Sequence, residues 1–438
     1  MSQIKSRVKE VFPDRVWTAL RRGRQKLGSA KRRVEKGLWE RYLIKTASLR
    51  HRIALRKVKK KDTVRVALFL ARVEIWKCDS LYWALEKSER FEPVVVVIPF
   101  TIKGERYKKK ELLKAKKYCI NKGFQFVNER DSESYHSKEI KESVEADIII
   151  FTNPKQFEIS DHVNDLTCYI PYSFRISSEV YEYEYNSLFV NLTWKNFFES
   201  EVHRAIAEKY ARNDGVNVEA LGFPHFDKFR KESGSDPWVQ SATDKKRIIW
   251  APHWTIEGYQ GAGINWSCFL EYQELFIELA DKYKEDVQFA LKPHPSLVPL
   301  LQRENLWGKA KTDEYIQTWK ETPNLQYVDS EYVDLFLNSD ALIHDSGSFM
   351  VEYLMTENPV AYTFQNRNPK DDLNAFGEKA FDVHTHVQSE DQLERFVVDV
   401  IEGRDKKGNV RADFAKHHLD LHGRNVGEKI VDYLSSQV

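Results

Sequence analysis

The sequence predicts an α/β protein of two doubly wound, Rossmann-like domains facing a cleft, preceded by a basic helical arm. Three observations carry this. Short, largely apolar runs, such as 64–70 and the valine-rich 93–99, alternate with helical patterns, as strands buried on both faces of a parallel sheet do. The alternation stops in a polar stretch containing Gly and Pro at 230–245 and then restarts. A chain of 438 residues also exceeds what one core comfortably holds. The expected boundaries are an arm at 1–61, a first domain at 62–229, a linker at 230–245 and a second domain at 246–438.

The elements follow in order. The arm contains Trp17, Leu20, Leu27, Trp39, Tyr42 and Leu43 among basic residues, which predicts one or two helices broken near Pro13 and Gly28. In the first domain, apolar runs predict strands at 64–70, 93–99, 124–127, 146–151, 168–171, 188–192 and 218–221. Apolar residues at three- and four-residue spacing predict helices at 75–85 and 201–211, with a very basic one at 107–120. The second domain repeats the pattern, with strands at 247–251, 287–292, 325–328, 341–344 and 360–364. Helices are expected there at 267–283, 332–337, 349–356, 390–401 and 427–434.

Composition narrows the function. Hydrophobic residues make up 42% of the chain and aromatic residues 13%, which excludes a disordered protein. Cys78, Cys119, Cys168 and Cys268 are scattered without CxxC spacing, so they read as reduced thiols rather than as a zinc site or disulfide framework. No run has the length and apolarity of a transmembrane helix, and no signal-peptide core is visible, which predicts a cytoplasmic protein. The net charge of +2 hides an asymmetry. Residues 1–61 hold 21 Lys and Arg against 4 Asp and Glu, while the remainder holds 47 against 62. Aromatic anchors among basic residues suit an anionic membrane surface. Packing on the acidic body is the alternative. Nucleic acid ranks last, since no recognition motif accompanies the charge.

Two motifs suggest chemistry. Lys292-Pro293-His294-Pro295 ends one predicted strand, and Asp345-Ser346-Gly347-Ser348 lies between another strand and a helix. A parallel sheet collects ligand groups at that edge. Gly347 permits close approach, while Ser346 and Ser348 can bond phosphate oxygens or simply cap the helix. Lys292 and His294 suit a leaving group that gains negative charge, and a rigid turn is the plainer reading. Glu352, on the following helix, joins Lys292, Asp345, Ser346, Gly347 and Ser348 in the predicted donor-binding set. His253, in Trp250-Ala251-Pro252-His253-Trp254, ends the second domain's first strand as a catalytic or a structural histidine. Gly222, Pro224, His225 and Asp227 form an expected interdomain hinge.

Taken together, these segments resemble the CDP-glycerol glycerophosphotransferase family of teichoic-acid and capsule polymerases, from about residue 140 onward. Gly222-Phe223-Pro224-His225-Phe226-Asp227 is similar to the family's Gly-x-Pro-Arg-x-Asp, with His225 replacing Arg. Ile249-Trp250-Ala251-Pro252-His253-Trp254 is similar to its Ala-Pro-Thr-aromatic strand end. Lys292-Pro293-His294-Pro295 matches its Lys-x-His-Pro. Asp340 to Ser348 resembles its Asp-x-Leu-Ile-Thr-Asp-Tyr-Ser-Ser, and His422-Gly423-Arg424-Asn425 its C-terminal Asp-Gly segment.

The resemblance implies a GT-B fold and metal-independent transfer at the inner membrane face. A nucleotide-diphosphate donor such as CDP-glycerol would be substrate rather than cofactor, the transferred group glycerol phosphate, another polyol phosphate or a sugar, and the acceptor a glycan or lipid-linked hydroxyl. One departure matters. The family carries Trp-His-Gly-x-Pro-x-Lys in its first domain, and its histidine is the expected base. Cys168 to Arg175 has no histidine here. Glu74, after the first strand, is the expected replacement, with His253 and His294 as the other catalytic candidates. The alternative reading is a non-catalytic GT-B-like scaffold of a membrane polymer-synthesis complex.

Overall fold

The computed structural model describes residues 14–438, apart from 100–104, 129–140, 155–157, 179, 231–233, 240–243, 257, 260–264, 330, 366 and 421–422. Side chains are also left undescribed at 14–35, 105–108, 128, 182 and 183. The expected break at Pro13 and the His422 position lie outside the described residues.

Two parallel sheets organise the chain. The first has seven strands in the order β3-β2-β1-β4-β5-β6-β7. These are β1 Val64–Leu70, β2 Phe91–Val97, β3 Phe126–Asn128, β4 Ile148–Phe151, β5 Leu166–Tyr169, β6 Lys195–Phe198 and β7 Val218–Ala220. The second has six, in the order β10-β9-β8-β11-β12-β13. They are β8 Lys246–Ala251, β9 Val287–Leu291, β10 Leu325–Tyr327, β11 Ala341–His344, β12 Val360–Thr363 and β13 Thr385–Val387. Strand order reverses between β1 and β4 and again between β8 and β11, so each sheet is doubly wound with a switch point. Four or more consecutive residues of β1, β2, β4, β8, β9 and β11 are buried, because helices cover both faces.

Several expectations need correction. Residues 188–192 form a short helix rather than a strand, and the sheet is continued instead by β6. Ser187 accepts a hydrogen bond from the Val190 N–H, so a local cap outcompetes the apolar run's strand preference. Among its described residues the arm forms one helix, Asp14–Val58, that runs through Gly28 without a break. A single interior glycine costs only about 1 kcal/mol against alanine, too little to stop a helix of this length. The polar stretch at 230–245 is not wholly a free connection, because Trp238 is buried in the second domain's core.

The last helix, Val426–Gln437, also departs from expectation. Its Val426, Ile430, Val431 and Leu434 pack with Leu68, Leu81 and Val95 in the core of the first domain. Asp227 directs this return by accepting hydrogen bonds from the Val426 and Gly427 N–H groups at 2.8 and 2.9 Å. Gly222, at φ +109°, lies where a Cβ would come within 2.9 Å of Val426 Cγ2. The hinge segment thus works as a docking point for the final helix.

Candidate functional site

The register of the second sheet brings three strand ends together. β8 lies between β9 and β11, with Trp250 opposite Leu291 and Ala251 opposite His344. The residues that follow, His253, His294 and Ser346 to Ser348, therefore meet at the switch point. They line a cavity of about 430 Å³ whose other wall comes from the first domain.

Each polar group there has a definable state. His294 Nδ1 accepts the Ser296 N–H at 3.1 Å, which puts its proton on Nε2. His253 Nδ1 pairs with the Thr255 hydroxyl at 2.8 Å. Burial, with the neighbouring His294, lowers the His253 pKa to about 3. His253 is therefore a neutral hydrogen-bonding imidazole at physiological pH. The two rings stand 5.0 Å apart. Neither Ser346 nor Ser348 has a hydrogen bond from its hydroxyl to a described protein group, and Ser348 does not cap the helix it precedes. The expected capping role is thus not used, and both hydroxyls stay available to a ligand.

Gly347 is required by packing. A Cβ there would lie 2.5 Å from Trp266 Cζ3 and 3.6 Å from Ile176 Cδ1. The turn is clasped between an indole of the second domain and an isoleucine of the first.

Other predicted site residues do different work. Asp345 is buried and accepts hydrogen bonds from the His253 and Cys268 N–H groups. Burial raises its pKa to about 7. It joins the ends of β8 and β11 rather than facing the cavity. Lys292 is buried at the same sheet edge, with its pKa lowered by burial, and is not among the cavity-lining residues.

Glu352 lies in a buried cluster with Lys77, His225 and Tyr332. Lys77 Nζ donates to Tyr332 Oη at 3.0 Å and lies 3.4 Å from His225 Nε2. His225 Nε2 is 3.5 Å from the Glu352 carboxylate, to which the Tyr332 hydroxyl donates. Burial works against ionisation of Glu352, but Lys77 and His225 hold its pKa down at about 2. The cluster joins the first domain, the hinge and the second domain, so Glu352 is an interdomain tie.

Glu74 is the clearest correction. It pairs with Lys114 and, at 3.4 Å, with Arg72, and it does not line the cavity. Burial tends to raise its pKa, but these cations hold it below the usual carboxylate range.

The first-domain wall contains groups to which sequence reasoning assigned no role. Tyr169, Tyr172, Arg175 and Glu184 line it, at and beyond the end of β5. Arg175 is buried, forks onto Glu199 at 2.8 and 2.6 Å, and reaches Glu184 Oε1 at 3.2 Å. Its guanidinium stacks 3.8 Å from the Phe198 ring centre. The available signal was the Tyr181-Glu182-Tyr183-Glu184-Tyr185 run, whose alternation favours neither an ordinary helix nor a buried strand.

The loop beyond β5 is also where the domains meet. Ser178 N–H donates to Asp372 O at 2.8 Å and Asn374 N–H to Ile176 O at 2.7 Å. The Asn374 side chain donates to Arg175 O at 2.9 Å. Among the described residues no group of three or more His, Cys, Asp or Glu is placed to hold a metal ion.

Comparison with known proteins agrees with this geometry. No curated protein matches the chain. Among solved structures, a putative UDP-N-acetylglucosamine 2-epimerase from Listeria monocytogenes is similar at 12% identity and TM-score 0.55, covering 85% of this chain and 96% of its own. The Neisseria meningitidis UDP-GlcNAc 2-epimerase bound to UDP-GlcNAc is similar at 13% and 0.55, covering 85% and 100%. A variant of the wall teichoic acid polymerase TagF soaked with CDPG gives 13% and 0.54, covering 95% and 97%. At these identities the likeness is one of fold. The family described as CDP-Glycerol:Poly(glycerophosphate) glycerophosphotransferase matches residues 192–435. That match spans more than half of the sequence, so the chain belongs to this glycerophosphotransferase family and is a transferase of GT-B type.

Proposed function

We propose that the protein transfers glycerol phosphate from CDP-glycerol to a hydroxyl of a glycan or lipid-linked acceptor, in the synthesis of a teichoic-acid-like surface polymer. The observation that carries this reading is the convergence of His253, His294, Ser346 and Ser348 on one cavity at the switch point of the second sheet. In a family of this description, such a site suits a pyrophosphate. Hydroxyl and imidazole donors would hold its oxygens. His294 Nε2–H and the nearby Lys292 charge would stabilise the CMP phosphate as the bond to it breaks. These groups offer charge stabilisation without a metal ion, and the reading is metal-independent.

Peripheral attachment to the inner membrane face belongs to the same proposal. The helix Asp14–Val58 buries Leu43, Ala47 and Val58 on the first domain. Its opposite side exposes Leu38, Tyr42, Leu49 and Ile53, at spacings of four, seven and four residues that make one stripe. Lys45, Arg52 and Arg56 lie beside that stripe on the helical wheel, a combination that suits an anionic surface. No helix of the described residues is long and apolar enough to cross a membrane.

The test is nucleotide release by purified protein with a lipid-linked acceptor and a panel of CDP-, UDP- and GDP-linked donors. CMP from CDP-glycerol supports the reading. A nucleoside diphosphate from another donor replaces it with sugar transfer. A non-catalytic scaffold is the second reading, favoured by the absent first-domain histidine. It predicts that His294→Ala leaves polymer production in cells unchanged, while deleting residues 1–61 abolishes it.

A further inference from the structure

The family's first-domain histidine is missing here, and the expected substitute, Glu74, is held outside the cavity by Lys114 and Arg72. A transfer to a hydroxyl still needs a proton acceptor on the acceptor side. Among the described residues lining the cavity, Glu184 is the one carboxylate. It lies in a π-helical turn, Tyr181–Tyr185, a rare geometry that recurs at functional sites.

Its surroundings orient it. Oε1 accepts from the Tyr169 hydroxyl at 2.9 Å and from Arg175 at 3.2 Å. Arg175 is matched mainly by the fully buried Glu199, which takes two of its donors. Oε2 of Glu184 has no hydrogen-bond partner among the described residues, and the side chain retains 13% exposure. One carboxylate oxygen is thus clamped while the other is left to the cavity.

We propose that Glu184 is the acceptor-side general base, oriented by Tyr169 and Arg175, in place of the family's histidine. The inference rests on the transfer reading above. Glu184 takes the proton from the acceptor hydroxyl as that oxygen attacks the phosphorus bearing glycerol. A new phosphate ester bond forms and the anhydride bond to the CMP phosphate breaks. CMP leaves with the electron pair, and Glu184 passes its proton to water.

The experiment compares wild type with Glu184→Gln and Glu184→Asp, using CDP-glycerol and a lipid-linked acceptor and scoring CMP. Glu184→Gln keeps the oxygen that Tyr169 and Arg175 hold, so the fold should survive, and the thermal midpoint checks this. The expected result is a loss of kcat of at least about 100-fold in Glu184→Gln, with KM for CDP-glycerol changed less than about threefold. The thermal shift produced by CDP-glycerol should be unchanged, and Glu184→Asp should recover part of the rate. A glutamine variant within about threefold of an active wild type overturns the Glu184 assignment and leaves the transfer reading intact. A wild type that turns over no donor overturns both.

Discussion

The two walls of the cleft are built on different principles. The second-domain wall, proposed to hold the donor, consists of residues that directly follow three adjacent strands of one sheet, β8, β9 and β11. Each motif is contiguous in sequence, and strand order alone brings them together. The first-domain wall, proposed to face the acceptor, draws on the end of β5, a π-helical turn and a buried arginine whose main partner lies after β6. Its groups are separated in sequence and reach the cavity through side-chain contacts. Sites of the first kind can be read from short motifs. Sites of the second kind can change residue type while the cavity stays in place.

The largest expected effect on catalysis comes from the second-domain wall. His294→Ala should lower kcat/KM for CMP release by about 100-fold or more, the scale for losing one donor to developing charge. A change below about threefold would remove the pyrophosphate role and, with it, the contrast between the walls.

Next is the tie across the seam. Glu352→Ala leaves Lys77 buried without its carboxylate, which should cost about 3–5 kcal/mol in a denaturant titration. A loss below about 1 kcal/mol would mean that the interdomain cluster is not under tension from burial.

A smaller effect is expected at Gly347. Gly347→Ala should destabilise by about 1–3 kcal/mol and weaken CDP-glycerol binding, since the new methyl group meets Trp266. Pairing it with Trp266→Ala should restore part of the stability, and strict additivity of the two changes would refute the steric account.

The pH dependence of stability probes the buried imidazoles. His225 titrates at about 4 when folded, because burial and Lys77 disfavour its charge; His253 and His344 fall to about 3 through burial, with His294 adding to the effect at His253. The unfolded chain takes up these protons near pH 6.5, before the folded chain does. Their contribution is therefore complete above pH 6.5 and is lost as pH falls toward 3–4. Urea midpoints should drop over that window, and His344→Asn should flatten the slope.

The smallest effect belongs to Glu74. Glu74→Gln should alter turnover by less than about twofold and stability by about 0.5 kcal/mol or less, as for a partly exposed surface ion pair. A 100-fold loss would return the base to the loop after β1 and displace Glu184.

Legibility followed the same division. The fold class could be read because strands buried on both faces must be apolar throughout, and β11 at 341–344 was predicted at its observed limits. The position of His253, His294 and Ser346 to Ser348 at one sheet edge was legible because they follow neighbouring strands. Asp345 and Glu352 were assigned to the donor site because a polar residue beside a ligand motif resembles a ligand group. Their actual partners, two backbone N–H groups and the Lys77–His225–Tyr332 cluster, are distant in sequence.

Local pattern was therefore sufficient for the two-sheet architecture, the strand-end position of the two motifs and the basic helix. Periodicity and turn chemistry act over a few residues and leave a direct trace in composition. The return of the last helix to the first domain, the exclusion of Glu74 and the exposure of Glu184 left no such trace. Each depends on contacts between segments far apart in the chain, whose energies appear only once both sheets are packed: Asp227 with Val426, Lys114 with Glu74, and Arg175 with Glu199.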